Sequence, residues 1–167
     1  MHQQIIASLE MSRSFLLAAV ADIPDERFAE QPPGVPNHSA WTLGHLVYSC
    51  QLIGGEMGLQ PWLGESWNWP ELFGGGSVPV ATRDAYPAKR ELVNAMNEGL
   101  SRLTARLAEL GDAGLDTDLP DARYRHVFPT LGHAVLQVAV AHFGYHLGQL
   151  VVWRRAVGMG PIEQRFL

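Results

Sequence analysis

Apolar positions recur at three- and four-residue intervals in four separate stretches of this chain, and glycine or proline closes most of them. Such recurrence marks an amphipathic helix, whose 3.6-residue period lines those positions along one face. The first stretch runs from about His2 to Asp22, with Ile5/Ile6, Leu9, Leu16/Leu17 and Val20 on one side; Pro24 and Pro32-Pro33 end it. The second opens after Pro36, with Asn37 or Ser39 expected as N-cap. It carries Trp41, His45, Tyr48/Ser49 and Leu52 on one stripe until Gly54-Gly55 weaken it. The third reads from about Arg83 to Leu110, where Val93, Met96, Leu100, Leu103, Leu107 and Leu110 alternate like the seam of a left-handed bundle. The fourth runs from about Thr130 to Val157 and is stopped by Gly158 and Gly160-Pro161.

No segment sustains strand alternation, and there is no internal repeat. The expectation is an all-α fold, a four-helix bundle with long connecting loops, in one domain spanning 1–167. One connection, Gly58 to Pro79, holds three tryptophans (Trp62, Trp67, Trp69) and Gly74-Gly75-Gly76. Loops of that length are lids, binding surfaces or hinges more often than plain connectors, although loop tryptophans commonly pack back onto the core. The other, Gly111 to Pro129, is polar and rich in Asp and Arg. With two long connections, a simple up-down-up-down order is not assured.

Composition narrows the partners. Hydrophobic residues make up 47% of the chain and charged residues only 17%, below the usual quarter, so a homodimer that shares apolar surface is expected. A net charge of −5 with no run of Lys or Arg argues against nucleic acid or an anionic membrane. No uninterrupted apolar run reaches a membrane span, and Met1-His2-Gln3-Gln4 lacks the basic start of a signal peptide. The single cysteine, Cys50, suits a reducing compartment. A cytoplasmic location is the expectation.

The chemistry rests on histidine. His142 and His146 lie four apart, so a helix brings both to one side. They fall on the apolar stripe Val135, Val138/Ala139, His142, His146, Gln149/Leu150, Trp153 rather than on a polar face. Seven histidines in 167 residues make a chance pair at that spacing common enough that spacing alone decides nothing. Two unpaired imidazoles facing inward are costly, however, and His45 lies in a comparable apolar setting on the second helix. Together the three could hold one metal ion. Three protein ligands instead of four leave a coordination position open for water or substrate, as catalytic sites do. Imidazole suits Zn, Ni, Cu and Fe, with Zn or Ni ranked first here and Fe behind. Cys50 is a poor fourth ligand, since five residues place it roughly 140° round the helix from His45. His133 falls opposite His142, His38 sits at a helix start, His126 lies in the polar loop and His2 is terminal, so all four are read as bystanders. Glu-x-x-His, His-Glu-x-x-His, Gly-x-x-x-x-Gly-Lys-Ser/Thr and Gly-x-Ser-x-Gly are absent, which removes the di-iron carboxylate, zincin, P-loop and nucleophile-elbow readings.

Two segments then match a known pattern. Asn37-His38-Ser39-Ala40-Trp41-Thr42-Leu43-Gly44-His45-Leu46 and Ala141-His142-Phe143-Gly144-Tyr145-His146-Leu147-Gly148-Gln149-Leu150 resemble the DinB-like superfamily of bacterial four-helix bundles. The resemblance implies one His from the second helix and a His-x-x-x-His pair from the last, binding one divalent metal at the end of a pocket. It also implies a frequent homodimer and non-sequential helix packing. It leaves the reaction open, because members conjugate low-molecular-weight thiols, isomerise a maleyl-type acid or have no assigned activity. The isomerases carry an extra C-terminal domain, so that activity is not expected here. The expectation is a metal-dependent hydrolase or thiol S-transferase acting on a small molecule. A non-catalytic metal-binding or stress-associated dimer is the alternative, and a metal-free bundle the third reading. Tyr145 and Trp41 flank the ligands and are read either as shaping the pocket or, equally, as core residues.

Overall fold

Helices α1 (His2–Ala21), α2 (Ser39–Glu56), a short α3 (Trp69–Phe73), α4 (Lys89–Leu115), α5 (Leu131–Leu136) and α6 (Phe143–Ala156) succeed one another in the computed structural model, which describes residues 1–162. A π-helical segment, Gln137–His142, joins α5 and α6 into one continuous run. Among the described residues there is no strand. A lone antiparallel bridge from Asp118 to Thr130 pinches the base of the connection between α4 and α5.

α4 packs on both α1 and α2, and the run from α5 to α6 packs on the same two. α1 and α2 therefore stand at opposite corners, and the chain crosses the bundle between them through residues 22–38. The all-α bundle and its non-sequential packing agree with the sequence reading. Of the seam read on α4, Met96, Leu100, Leu103 and Leu107 lie inside, at most 2% exposed, whereas Val93 and Leu110 are half-buried and Leu92 takes the inner position beside Val93.

Several boundaries differ from expectation. α2 is capped by His38, not by Asn37 or Ser39: its backbone is extended and its Nδ1 accepts the Trp41 N–H at 3.2 Å, the task a Ser or Asn oxygen usually performs. α4 begins at Lys89, not Arg83. Pro87 holds Tyr86 extended (φ −128°, ψ 155°), and Arg83–Ala85 is left as a separate 3₁₀ turn. The true start is marked by Glu91, whose carboxylate accepts the Ala88 N–H at 2.9 Å. At its other end α4 passes through a kink at Gly111 (φ 61°) and continues to Leu115. Leu52, placed on the inner stripe of α2, is 55% exposed. The last helix stops as expected: Gly158 takes φ 76°, and the Met159 N–H returns to the Arg154 carbonyl at 2.8 Å, a Schellman closure.

By length and composition, α1 and the run Leu131–Ala156, each with mean hydropathy 1.3, reach what a membrane crossing requires. The reading from uninterrupted apolar runs missed this. In the bundle both supply core stripes, Ile5, Leu9 and Leu16 from one and Val135, Ala139 and Leu150 from the other, which is the other use of that composition.

Arg154 ties the ends of α1 and α6 together. Only 2% exposed, it donates to the Ala19 carbonyl at 2.8 Å, to both oxygens of Asp22 and to the Gly160 carbonyl at 3.1 Å. Its guanidinium holds the Asp22 carboxyl below its ordinary range. Replacing Arg154 by Met keeps the stem but strands the buried Ala19 carbonyl, and the exposed Asp22 carboxylate loses its ion pair. Urea denaturation of the variant should show a loss of about 2 kcal/mol.

Candidate metal centre

His45 occupies the middle of α2, and three features aim its ring. Its Nδ1 donates to the Phe73 carbonyl at 2.6 Å; a carbonyl can only accept, so the proton sits on Nδ1 and the lone pair on Nε2. The ring stacks on Trp41 one turn back, with centroids 4.8 Å and planes 8° apart. Trp41 is itself anchored through Nε1–H to Ser77 Oγ at 2.9 Å. Phe73 reaches this position because residue 44 is glycine: a Cβ there would lie 2.1 Å from Phe73 Cε1.

His142 is the last residue of the π-helical segment, and His146 follows one turn later in α6. His146 is 5% exposed, and its Nδ1 meets Gln149 Oε1 at 2.9 Å. The same oxygen accepts Asn37 Nδ2–H at 3.0 Å. With Asn37 donating, Gln149 presents oxygen to the ring, so Nδ1 carries the proton and Nε2 the lone pair. The two fixed rings thus keep the same tautomer for different reasons, one through a backbone carbonyl and the other through a side-chain amide.

The three rings converge. His142 Nε2 stands 3.0 Å from His45 Nε2, and one nitrogen from each ring lies within 4.8 Å of the others. Because His45 Nε2 has no proton, His142 must supply one across that contact when no metal is bound. Its Nδ1 is then a buried acceptor without a partner. Protein groups therefore engage the Nδ1 of two of the imidazoles and leave that of the third without a partner. Three neutral nitrogens facing a common point form a donor set that fits a divalent transition metal.

The electrostatics favour the neutral rings. Burial, reinforced by the neighbouring imidazoles, lowers His142 and His146 to about 4. Burial also lowers His45, against the raising effect of its bond to Phe73.

The remaining candidates fall elsewhere. His38 is fully buried as the α2 cap, donates Nε2–H to the Val80 carbonyl at 3.1 Å, and is lowered to about 4 by burial. His133 and His126 are exposed, and His2 pairs with Asp112. Cys50 is buried with its thiol pushed up to about 12, packed against Gly99 of α4. Trp69 is buried, while Trp62 and Trp67 pack against the core, so the tryptophan loop is no cap. Its contributions are the Phe73 carbonyl and the Ser77 hydroxyl that anchors Trp41. Trp41 lies against the triad as expected, whereas Tyr145 is 64% exposed and meets His146 edge-on at 5.0 Å. Sequence reasoning missed Asn37, Gln149 and Phe73. The three-residue step from His146 to Gln149 could have revealed the second, but a backbone carbonyl from a distant loop leaves no such signal.

A cleft of about 490 Å³ opens beside His142, and another of about 430 Å³ lies beside Gln149 and Tyr145. Comparison with protein-family models matched one described as the DinB superfamily over residues 8–150. No curated protein and no solved structure matched the chain.

The buried imidazoles set a pH dependence. In unfolded chain a histidine titrates near 6.5, whereas His38, His142 and His146 are lowered to about 4 in the fold. Between those values the unfolded chain binds protons that the native protein does not, so stability falls with falling pH. Urea midpoints of metal-free protein should be highest above pH about 6.5 and decline towards pH about 4. A midpoint that rises on acidification through that window would contradict the burial.

Proposed function

The chain belongs to the DinB superfamily, and from that premise we propose that His45, His142 and His146 hold one divalent metal ion in a metal-dependent enzyme. Zn or Ni is the first choice and Fe the next. The observation that carries the reading is the convergence of three imidazole nitrogens, two of them with their protons fixed on the far side of the ring. When bound, the ion would supply Lewis acidity at an open position, lowering the pKa of a thiol or water there.

The residues of the chain do the rest. The Phe73 carbonyl and Gln149 orient two rings and raise their basicity, as the outer partners of metal-bound histidines generally do. Burial keeps the rings neutral and therefore competent to ligate. The Trp41 face shields His45 from water, and the cleft beside His142 offers a place for an electrophilic substrate. Between the two activities the site favours thiol transfer over hydrolysis. Among the described residues no carboxylate joins the histidine cluster; the ion alone would activate either nucleophile, but hydrolysis would lack a side chain to protonate its leaving group. A small thiol in a reducing compartment such as the cytoplasm is the partner this reading requires. A non-catalytic metal-binding dimer is the second reading, favoured by the same lack of acid–base groups. In either case the exposed Leu136, Val140, Tyr145 and Val152 of the last helical run offer surface for a second copy.

Cobalt-substituted protein tests the thiol reading. Adding low-molecular-weight thiols near pH 7, well below their free pKa of about 8.5, should change the visible spectrum as sulfur enters the coordination sphere. An unchanged spectrum across common bacterial thiols would leave metal binding standing and remove the transferase.

Orientation can be tested separately. The Gln149→Ala variant should keep its helix content but bind metal about tenfold or more weakly, because His146 loses its orienting partner. Competition with a chromophoric chelator gives the affinity. Wild-type affinity in the variant would mean that Gln149 does not act on the site.

A further inference from the structure

The cleft beside His142 has a consistent chemistry along its length. Leu52 and Ile53 of α2 face Ala134 and Val138 of the last helical run, and Leu119 and Phe128 from the connection between α4 and α5 join them. That connection is held in place: Leu131 N–H bonds back to the Thr117 carbonyl at 2.9 Å and Leu119 N–H to the Pro129 carbonyl at 3.3 Å. The walls are thus apolar and built, with His142 among the lining residues. A volume of about 490 Å³ suits a small molecule carrying one ring or a short alkyl body.

The charged groups in the lining are Glu56, Asp121 and Arg123. Arg123 is already engaged. Both oxygens of Asp121 take its guanidinium, the closest at 2.6 Å, and its plane stands over the Tyr124 ring at 5.6 Å. Glu56 is different. One of its oxygens accepts the Asp121 N–H at 3.0 Å, and among the described residues no Lys or Arg forms an ion pair with it. The half-buried Glu56 carboxylate, beside apolar walls, acts on Arg123 only from a distance, and among the described residues no cation is in contact with it.

We propose that the cleft binds a small molecule with an apolar body and a cationic amino group, the amino group seated at Glu56 and the body directed along the apolar walls towards His142. The proposal rests on the metal reading only for what the far end of the ligand meets; the recognition itself belongs to Glu56 and the walls.

Three probes of nearly equal size separate the contributions: 2-phenylethylamine, 2-phenylethanol and phenylacetate. Each is titrated into ¹⁵N-labelled protein as purified, and again after chelation, and followed by amide shifts. The amine should bind about fivefold more tightly than the alcohol, the scale of a partly exposed ion pair, with phenylacetate weakest, and the order should be the same in both preparations. Shifts should map to 49–56 and 134–142. The Glu56→Gln variant keeps an oxygen for the Asp121 N–H and should bring the amine to the level of the alcohol. Leu52→Trp, at an exposed position, should weaken all three by filling the cleft. Tightest binding by phenylacetate, equal binding of all three, or shifts outside the cleft would overturn the proposal. An amine preference that disappears on chelation would also overturn it, by assigning the amine to the metal. Metal content, measured on the same samples, reports on the histidine site independently.

Discussion

A single hydrogen bond, from His45 Nδ1 to the Phe73 carbonyl at 2.6 Å, couples the longest irregular stretch of the chain to its most reactive cluster. The bond fixes which nitrogen of His45 carries the proton and so which one faces His142 and His146. It exists because Gly44 lets the Phe73 ring lie against the backbone of α2, and because α3 ends at that residue and leaves its carbonyl free to be used. The glycine, the short helix and the tryptophan-rich connection are parts of one device. Together they aim a lone pair from the side of the bundle that the last helix cannot reach.

The opposite side is aimed differently. The run from α5 to α6 does not stay α-helical; over Gln137–His142 it widens into π geometry, and the Phe143 N–H bonds to the Val138 carbonyl five residues back. Such turns recur at functional sites. Here the widened turn ends on His142, just before the ordinary helical step that brings in His146. Gln149, one further turn along, holds the second ring with help from Asn37 at the mouth of α2. The two fixed rings are therefore braced by partners from different parts of the fold, while His142 between them has none for its Nδ1. That asymmetry separates this cluster from a set of satisfied core histidines such as His38, whose two nitrogens both have partners.

Much of this was legible in the sequence, for physical reasons. Helical periodicity is set by burial, so Val135, Ala139, Leu150 and Trp153 announced the inner face of the last helix and Met96, Leu100, Leu103 and Leu107 that of α4. The same periodicity put His45, His142 and His146 on inward stripes. Boundaries were less visible, because they depend on individual bonds: the Glu91 carboxylate that starts α4 and the imidazole of His38 that caps α2 do not follow from hydrophobic pattern. The π-helical turn was invisible, since angles counted along a straight α-helix assume it away. The orienting partners were partly hidden. Gln149 stood at a readable spacing, but Phe73 acts through its backbone from 28 residues away.

Metal content is the quantity on which the account turns. Untagged protein, purified without chelators at pH above 7, should carry about one equivalent of a divalent transition metal per chain by elemental analysis, and X-ray absorption should show imidazole nitrogen as its protein ligands. Less than about a tenth of an equivalent, in protein also offered Zn, Ni and Fe and then desalted, would contradict the central claim and return the three histidines to the core.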